Sequence, residues 1–246
     1  AVTAAVSETS TGVALAGGAV WDGGTEATAR ARGIETGGGA DEILNTGEVG
    51  LDSDAVTAAA SVSVALTGVG GAISRSTSVS DAKAIDAGED AGDDLVDNSG
   101  DLTVTSDAFA AAVSVAFTSA GVSIAASGSF DGGTTAESAA RGIDAGLGSD
   151  DILNSGAIDV SAGSITGQVD VSVAVSGVAA VISNEVLSRS EAVGIEAGDG
   201  VFVDNVINSG RVAASATSLG ASASVGVTSA RVGATWNGGV LGDATA

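Results

Sequence analysis

One motif occurs four times in this chain at a nearly constant interval, and that constrains the fold more than any other feature. It reads Ile43-Leu44-Asn45-Thr46-Gly47, Val96-Asp97-Asn98-Ser99-Gly100, Ile152-Leu153-Asn154-Ser155-Gly156 and Val206-Ile207-Asn208-Ser209-Gly210. The asparagines stand 53, 56 and 54 residues apart. Each copy follows a second short signature: Gly33-Ile34-Glu35, Ala84-Ile85-Asp86, Gly142-Ile143-Asp144 or Gly194-Ile195-Glu196. Self-similarity at such a period marks a solenoid, a propeller or an array.

A longer period overlies the first. Ile34 to Asp41 and Ile143 to Asp150 span 7 residues, whereas Ile85 to Asp94 and Ile195 to Asp204 span 9. Trp21-Asp22-Gly23-Gly24, Phe130-Asp131-Gly132-Gly133 and Trp236-Asn237-Gly238-Gly239 mark every other repeat, at spacings of 109 and 106. The chain therefore reads as a single repeat array over 1–246, with about four ~54-residue repeats arranged as two ~108-residue pairs. A partial repeat covers 1–31, followed by repeats over 32–82, 83–140, 141–192 and 193–246. Both ends fall inside a repeat, and the first residue is Ala1, so a segment of a longer chain is expected.

Between the motifs the pattern is that of strands. Ser61-Val62-Ser63-Val64-Ala65, Val113-Ser114-Val115-Ala116-Phe117 and Val171-Ser172-Val173-Ala174-Val175 alternate with a period of two, which places alternate side chains on opposite faces. No stretch shows helical periodicity with caps. The 246 residues include 38 Gly, no Pro and six aromatics. Such a chain fills its interior with Ala, Val, Ile and Leu, and stacked strands can pair without a missing donor. An all-β parallel β-solenoid is expected, each repeat making two coils because single coils usually take roughly half of 54 residues. The alternative is stacked antiparallel hairpin or sandwich modules, in which Val113 to Phe117 pairs with Val122 to Ala126 across the turn Thr118 to Gly121.

Charge is large and uneven. Thirty-one acids against eight bases give −23, which disfavours nucleic acid and anionic membrane surfaces and favours cations. Residues 58–80, 108–130 and 212–236 contain no acid, while 81–107 contains nine. In the neutral stretches Ser61, Ser63, Ala65, Ser114 and Ala116 are expected to face outward. They would form a flat small-residue sheet that is either simply solvated or open to lateral contact with another copy. Arg32, Lys83 and Arg141 each precede an acid (Glu35, Asp86, Asp144) and are expected to make exposed pairs of little worth.

Enzyme chemistry has few candidates. There is no His, Cys or Tyr and a single Lys, which leaves carboxylate pairs of the kind used in glycoside hydrolysis, without an aromatic cleft to bind sugar. No run of transmembrane length and no signal-peptide pattern is visible, so no membrane insertion is expected. The absence of cysteine says little about compartment.

Two resemblances carry the functional expectation. Thr36-Gly37-Gly38-Gly39-Ala40-Asp41-Glu42-Ile43-Leu44 and Ala145-Gly146-Leu147-Gly148-Ser149-Asp150-Asp151-Ile152-Leu153 resemble the G-G-x-G-x-D-x-U-x nonapeptide of calcium-binding RTX β-rolls, with the first Gly replaced. Asp93-Asp94 keeps half of the pattern and Asp204 has lost the Gly. The resemblance implies Ca²⁺ at Asp41, Asp93, Asp94, Asp150, Asp151 and Asp204, where Gly opens carbonyls and Asp supplies anionic oxygen. The same aspartates also read as turn residues bonding the local backbone. A column of them would repel itself unless cations screened it.

The Asn-Ser/Thr-Gly core preceded by Gly-Ile-Asp/Glu is similar to repeats of bacterial autotransporter-type and other giant surface proteins with β-helical passengers. That resemblance implies a secreted or surface-displayed, elongated, non-enzymatic protein of adhesion, matrix or filament, self-associating into a homopolymer. The alternative it leaves is an adhesin segment whose loops at Trp21, Phe130 and Trp236 bind glycan or a partner protein.

Overall fold

The computed structural model describes residues 1–17, 24–88, 91–127, 133–198, 202–229 and 232–246. Their strands, in chain order, are β1 (Val2–Gly17), β2 (Thr25–Glu35), β3 (Glu42–Asn45), β4 (Val49–Ser74), β5 (Ser76–Asp86), β6 (Leu95–Asn98), β7 (Leu102–Ser127) and β8 (Thr134–Asp144). They continue as β9 (Asp151–Asn154), β10 (Ile158–Ser183), β11 (Val186–Glu196), β12 (Asn205–Asn208), β13 (Val212–Thr228), β14 (Val232–Asn237) and β15 (Val240–Thr245).

Three parallel sheets run along one axis. The first has the order β1-β4-β7-β10-β13, with β14 also on β10; the second is β2-β5-β8-β11-β15; the third is β3-β6-β9-β12. Each strand pairs with its counterpart one repeat away, as in Asn45↔Asn98, Asn98↔Asn154 and Asn154↔Asn208. The fold is a parallel β-solenoid, and its pairings rule out antiparallel hairpin modules. One repeat makes one coil, not the two expected. The long β4, β7 and β10 of 26 residues each use up the length that a second coil would have needed.

Each long strand folds back on itself within its coil. At the bend Gly68, Gly121 and Gly177 have φ of +110°, +137° and +148°, and they stack in one column. A Cβ on Gly121 would lie 1.9 Å from the Gly68 carbonyl oxygen, so only glycine fits this backbone and this approach. The turn between Thr118 and Gly121 thus exists as a β-arch. Its two legs face each other through side chains, with Ser114 Oγ donating to the Ala126 carbonyl at 2.8 Å, while the backbone bonds run to neighbouring coils.

The cross-section is a flattened blade with two different interiors. Near the third sheet the core is apolar. Ile85 from β5, Val96 from β6 and Leu102 from β7 converge there, and Ile143, Ile152 and Ile158 repeat the triad one coil on, all at most 1% exposed. Toward the arch the interior is Ser and Ala. Ser61, Ser63, Ala65, Ser114 and Ala116 are fully buried, the reverse of the outward placement expected from the sequence.

Hydroxyls set this inversion, because one side chain spans the gap between walls. Ser78 Oγ reaches the Ala55 carbonyl at 2.6 Å, Ser80 the Ser53 carbonyl at 2.6 Å, and Ser172 the Ser123 carbonyl at 2.9 Å. A carbonyl already bonded in its sheet has a second lone pair to accept them. A gap bridged by one hydroxyl leaves little room for larger side chains: Val62, Val115, Phe109 and Phe117 point out, while Val181, in the column of Ala72 and Ala125, is a buried exception at 1% exposed.

Candidate functional site

The motif asparagines form a continuous amide ladder at the corner between the third sheet and the first. Nδ2 of Asn45, Asn98 and Asn154 donates to Oδ1 of Asn98, Asn154 and Asn208 respectively, each at 2.7 Å. The same nitrogens donate within their own coils to the carbonyls of Gly47, Gly100 and Gly156 at 3.0, 2.9 and 3.0 Å. Asn98 and Asn154 are buried, and both amide hydrogens are used, which is what burial of a primary amide requires. The following Ser-Gly fits the same geometry: a Cβ on Gly156 would lie 1.9 Å from the Gly100 carbonyl oxygen.

The acidic corner is a second column. Oδ1 of Asp94 accepts the backbone N–H of Asp41 at 2.7 Å, Oδ1 of Asp150 that of Asp94 at 2.8 Å, and Oδ1 of Asp204 that of Asp150 at 3.1 Å. Asp93 Oδ1 accepts from the Ser149 N–H at 3.0 Å, and Asp151 Oδ1 from Asn205 Nδ2 at 3.0 Å. The aspartates do bond backbone, but mostly that of the adjacent coil instead of their own turn.

Among the described residues no group of three or more carboxylates gathers as a metal-holding cluster. Ca²⁺ takes 6–8 oxygens, and the six aspartates lie along a line, one or two per coil, so they do not fit as an ion-enclosing cage. Asp150 is buried, and its Oδ2 has no hydrogen-bond partner. Burial raises its pKa above the ordinary 3.8, and the charges of Asp204, Asp93 and Asp151 add to this, against the Asp94 N–H, which lowers it. Asp90, four residues before Asp94, lies outside the described residues.

On the second sheet, Arg32, Lys83 and Arg141 share a column with Val193. Lys83 keeps its expected local partner Asp86, but the pair is buried instead of exposed, and Arg32 and Arg141 pair across coils. Arg32 meets Asp81 at 2.5 Å and Asp86 at 3.0 Å; Lys83 meets Asp86 at 3.2 Å and Asp144 at 2.8 Å; Arg141 meets Glu191 at 2.8 Å and Glu196 at 2.5 Å. Each cation reaches an acid one coil further on, and the side chains of Lys83 and Asp86 are only 9% and 8% exposed. Burial acts to lower the Lys83 pKa, but the bonds and charges of Asp144 and Asp86 outweigh it and hold the ammonium above its ordinary value.

Sequence reasoning missed a buried carboxylate altogether. Asp170 replaces a serine in the column Ser61↔Ser114↔Asp170↔Ser224 and is fully buried. Ser127 and Ser183 donate to it, as does Gln168 Nε2 at 3.0 Å. Its one visible signal is an acid breaking a strict Ser alternation. Among the aromatics, Trp21 and Phe130 lie outside the described residues. Trp236 pairs with Ile182, whose counterpart is Ala126, four residues before Phe130.

No protein family, curated protein or solved structure matches this chain. Among the described residues no helix is long and apolar enough to cross a membrane, a finding that does not bear on strands.

Proposed function

We propose that this chain is a structural, non-enzymatic segment of an elongated extracellular solenoid that self-associates into a fibre, stalk or surface layer. The observation that carries this reading is the amide ladder from Asn45 to Asn208, in which buried polar groups are spent on holding coil to coil. Buried carboxylates and cations are likewise used between coils or across the blade. A repeat protein of this kind gains length by adding units whose contacts are with their neighbours. Extracellular display rests on the resemblance of the Asn-Ser/Thr-Gly repeats to surface-protein passengers.

Calcium enters this proposal as a screening ion along the acidic column, where like charges repeat at the strand spacing of about 4.8 Å. Negative-stain imaging of the purified chain tests the main reading: rods or filaments are expected, and compact isotropic particles would overturn it. Melting in Ca²⁺, and in Na⁺ of matched ionic strength, separates screening from specific binding. The adhesin alternative rests on the exposed Trp236, the one of its three aromatics that lies among the described residues.

A further inference from the structure

The geometry points to the outer face of β4, β7, β10 and β13 as a lateral docking surface for a second copy of this chain, an inference that rests on the self-associating reading above. The face is built from columns. Val56, Phe109, Ile165 and Leu219 stand in register, as do Val62, Val115, Val171 and Val225, and Val64, Phe117, Val173 and Val227. Phe109, Ile165 and Leu219 are 40, 46 and 58% exposed. The same strands turn Ser61, Ser114 and Ser172 inward. Water on this face would favour the opposite assignment, because burying apolar area is the main source of stability.

Size and charge choose the occupant. From Val56 to Leu66 the face runs about 33 Å along the strands, and four coils span about 19 Å. That gives roughly 600 Å² per copy and about 1,200 Å² for a pair, at the lower bound of a specific interface. Two copies each carrying −23 repel over most of their surfaces. This face has no charged side chain between Val56 and Leu66 or on the aligned stretches of β7 and β13, and the Asp170 of β10 is turned inward. Asp54 and Asp107 stand at its rim, and the exposed Glu8 of β1 lies beside it, paired with Val64. A second copy also offers ridges of identical pitch, so two sheets can pack face to face as in a β-sandwich. A lipid surface offers no such ridges, and anionic headgroups would meet the acidic rim.

Sedimentation velocity of the full chain over a range of concentrations, at low and at physiological salt, tests the inference. Reversible association that strengthens with salt is expected. The double variant Phe109→Asp, Ile165→Asp is expected to weaken it by about 100-fold or more through unpaired interfacial charge, with an unchanged circular dichroism spectrum. Because the chain has no cysteine, Phe109→Cys should give a disulfide-linked dimer on oxidation while Ala139→Cys, on the second sheet, should not. Association that ignores the Asp substitutions would overturn this face and leave self-assembly standing. A monomer at every concentration that sediments with phosphatidylcholine vesicles would replace the second copy with lipid. A monomer that ignores vesicles would overturn both this interface and the self-associating reading.

Discussion

Asn98 Nδ2 lies 2.7 Å from Asn154 Oδ1 and 2.9 Å from the Gly100 carbonyl oxygen, so a single buried amide joins two coils and closes its own corner. Replacing Asn98 with Ala strands the Asn154 Oδ1 and the Asn45 Nδ2 on either side. Each orphaned buried group costs about 1–3 kcal/mol, so Asn98→Ala should destabilise by roughly 2–5 kcal/mol. Denaturant unfolding checks this, and Asn208→Ala, at the exposed end of the ladder, should cost less.

Gly156→Ala should destabilise more than an ordinary Gly→Ala change in a strand. Its Cβ would sit 1.9 Å from a backbone oxygen, which only separation of two coils can relieve. Gly167, with open space around its Cβ position, is the control, expected within about 1 kcal/mol of wild type by thermal melting.

The hydroxyl-wide gap predicts an inverted hydrophobic substitution pattern. Ser114→Val adds apolar bulk to a buried site, yet it should cost about 3 kcal/mol or more, from overpacking and from the lost bonds to Ala126 and Ser127. Val115→Ser on the outer face should change monomer stability by about 0.5 kcal/mol at most. Paired melts of the two variants decide it. Equal or opposite effects would refute the assignment of faces.

The raised pKa of Asp150 gives a pH dependence of definite sign. A carboxyl that holds its proton more tightly when folded costs nothing below the unfolded value near 3.8. Its cost grows as pH rises from there through the folded value and is complete above it. Asp150→Asn retains an oxygen for the Asp94 N–H and removes the charge. The variant should therefore exceed wild type in stability at neutral pH, with the difference shrinking toward acid in pH-dependent unfolding.

Lys83→Met should cost about 3 kcal/mol, since it leaves the largely buried Asp86 and Asp144 facing each other without their shared ammonium. The double variant Lys83→Met, Asp144→Asn should recover part of the loss in a double-mutant cycle.

The period, the all-β class and the asparagine column were legible because each is stated locally in every repeat. Register between coils follows directly from the 53-, 56- and 54-residue intervals. Which face of Val113 to Phe117 points inward was not legible. Alternation fixes two faces without naming the inner one, and the deciding quantity is the distance to the opposite wall, set by residues 12 or more positions away such as Ser114 and Ala126. The coil length was misjudged for a related reason: the arch at Gly121 lets one strand serve both walls. Arg32 is a third case. Its adjacent Glu35 suggested a local pair, yet the parallel register brings Asp81 and Asp86 closer. Asp170 had no motif at all, only the company of serines.

The column Arg32, Lys83, Arg141 and Val193 has a mechanical consequence. Backbone ladders, amide ladder and ion pairs all run along the solenoid axis, so a pull in that direction loads the junctions between coils one after another, and the weakest yields first. The coil of Val193 meets the one that follows through the half-exposed Arg189–Asp243 pair at 4.0 Å, looser than the contacts of Arg32, Lys83 and Arg141, which makes that junction the fuse of the rod under tension.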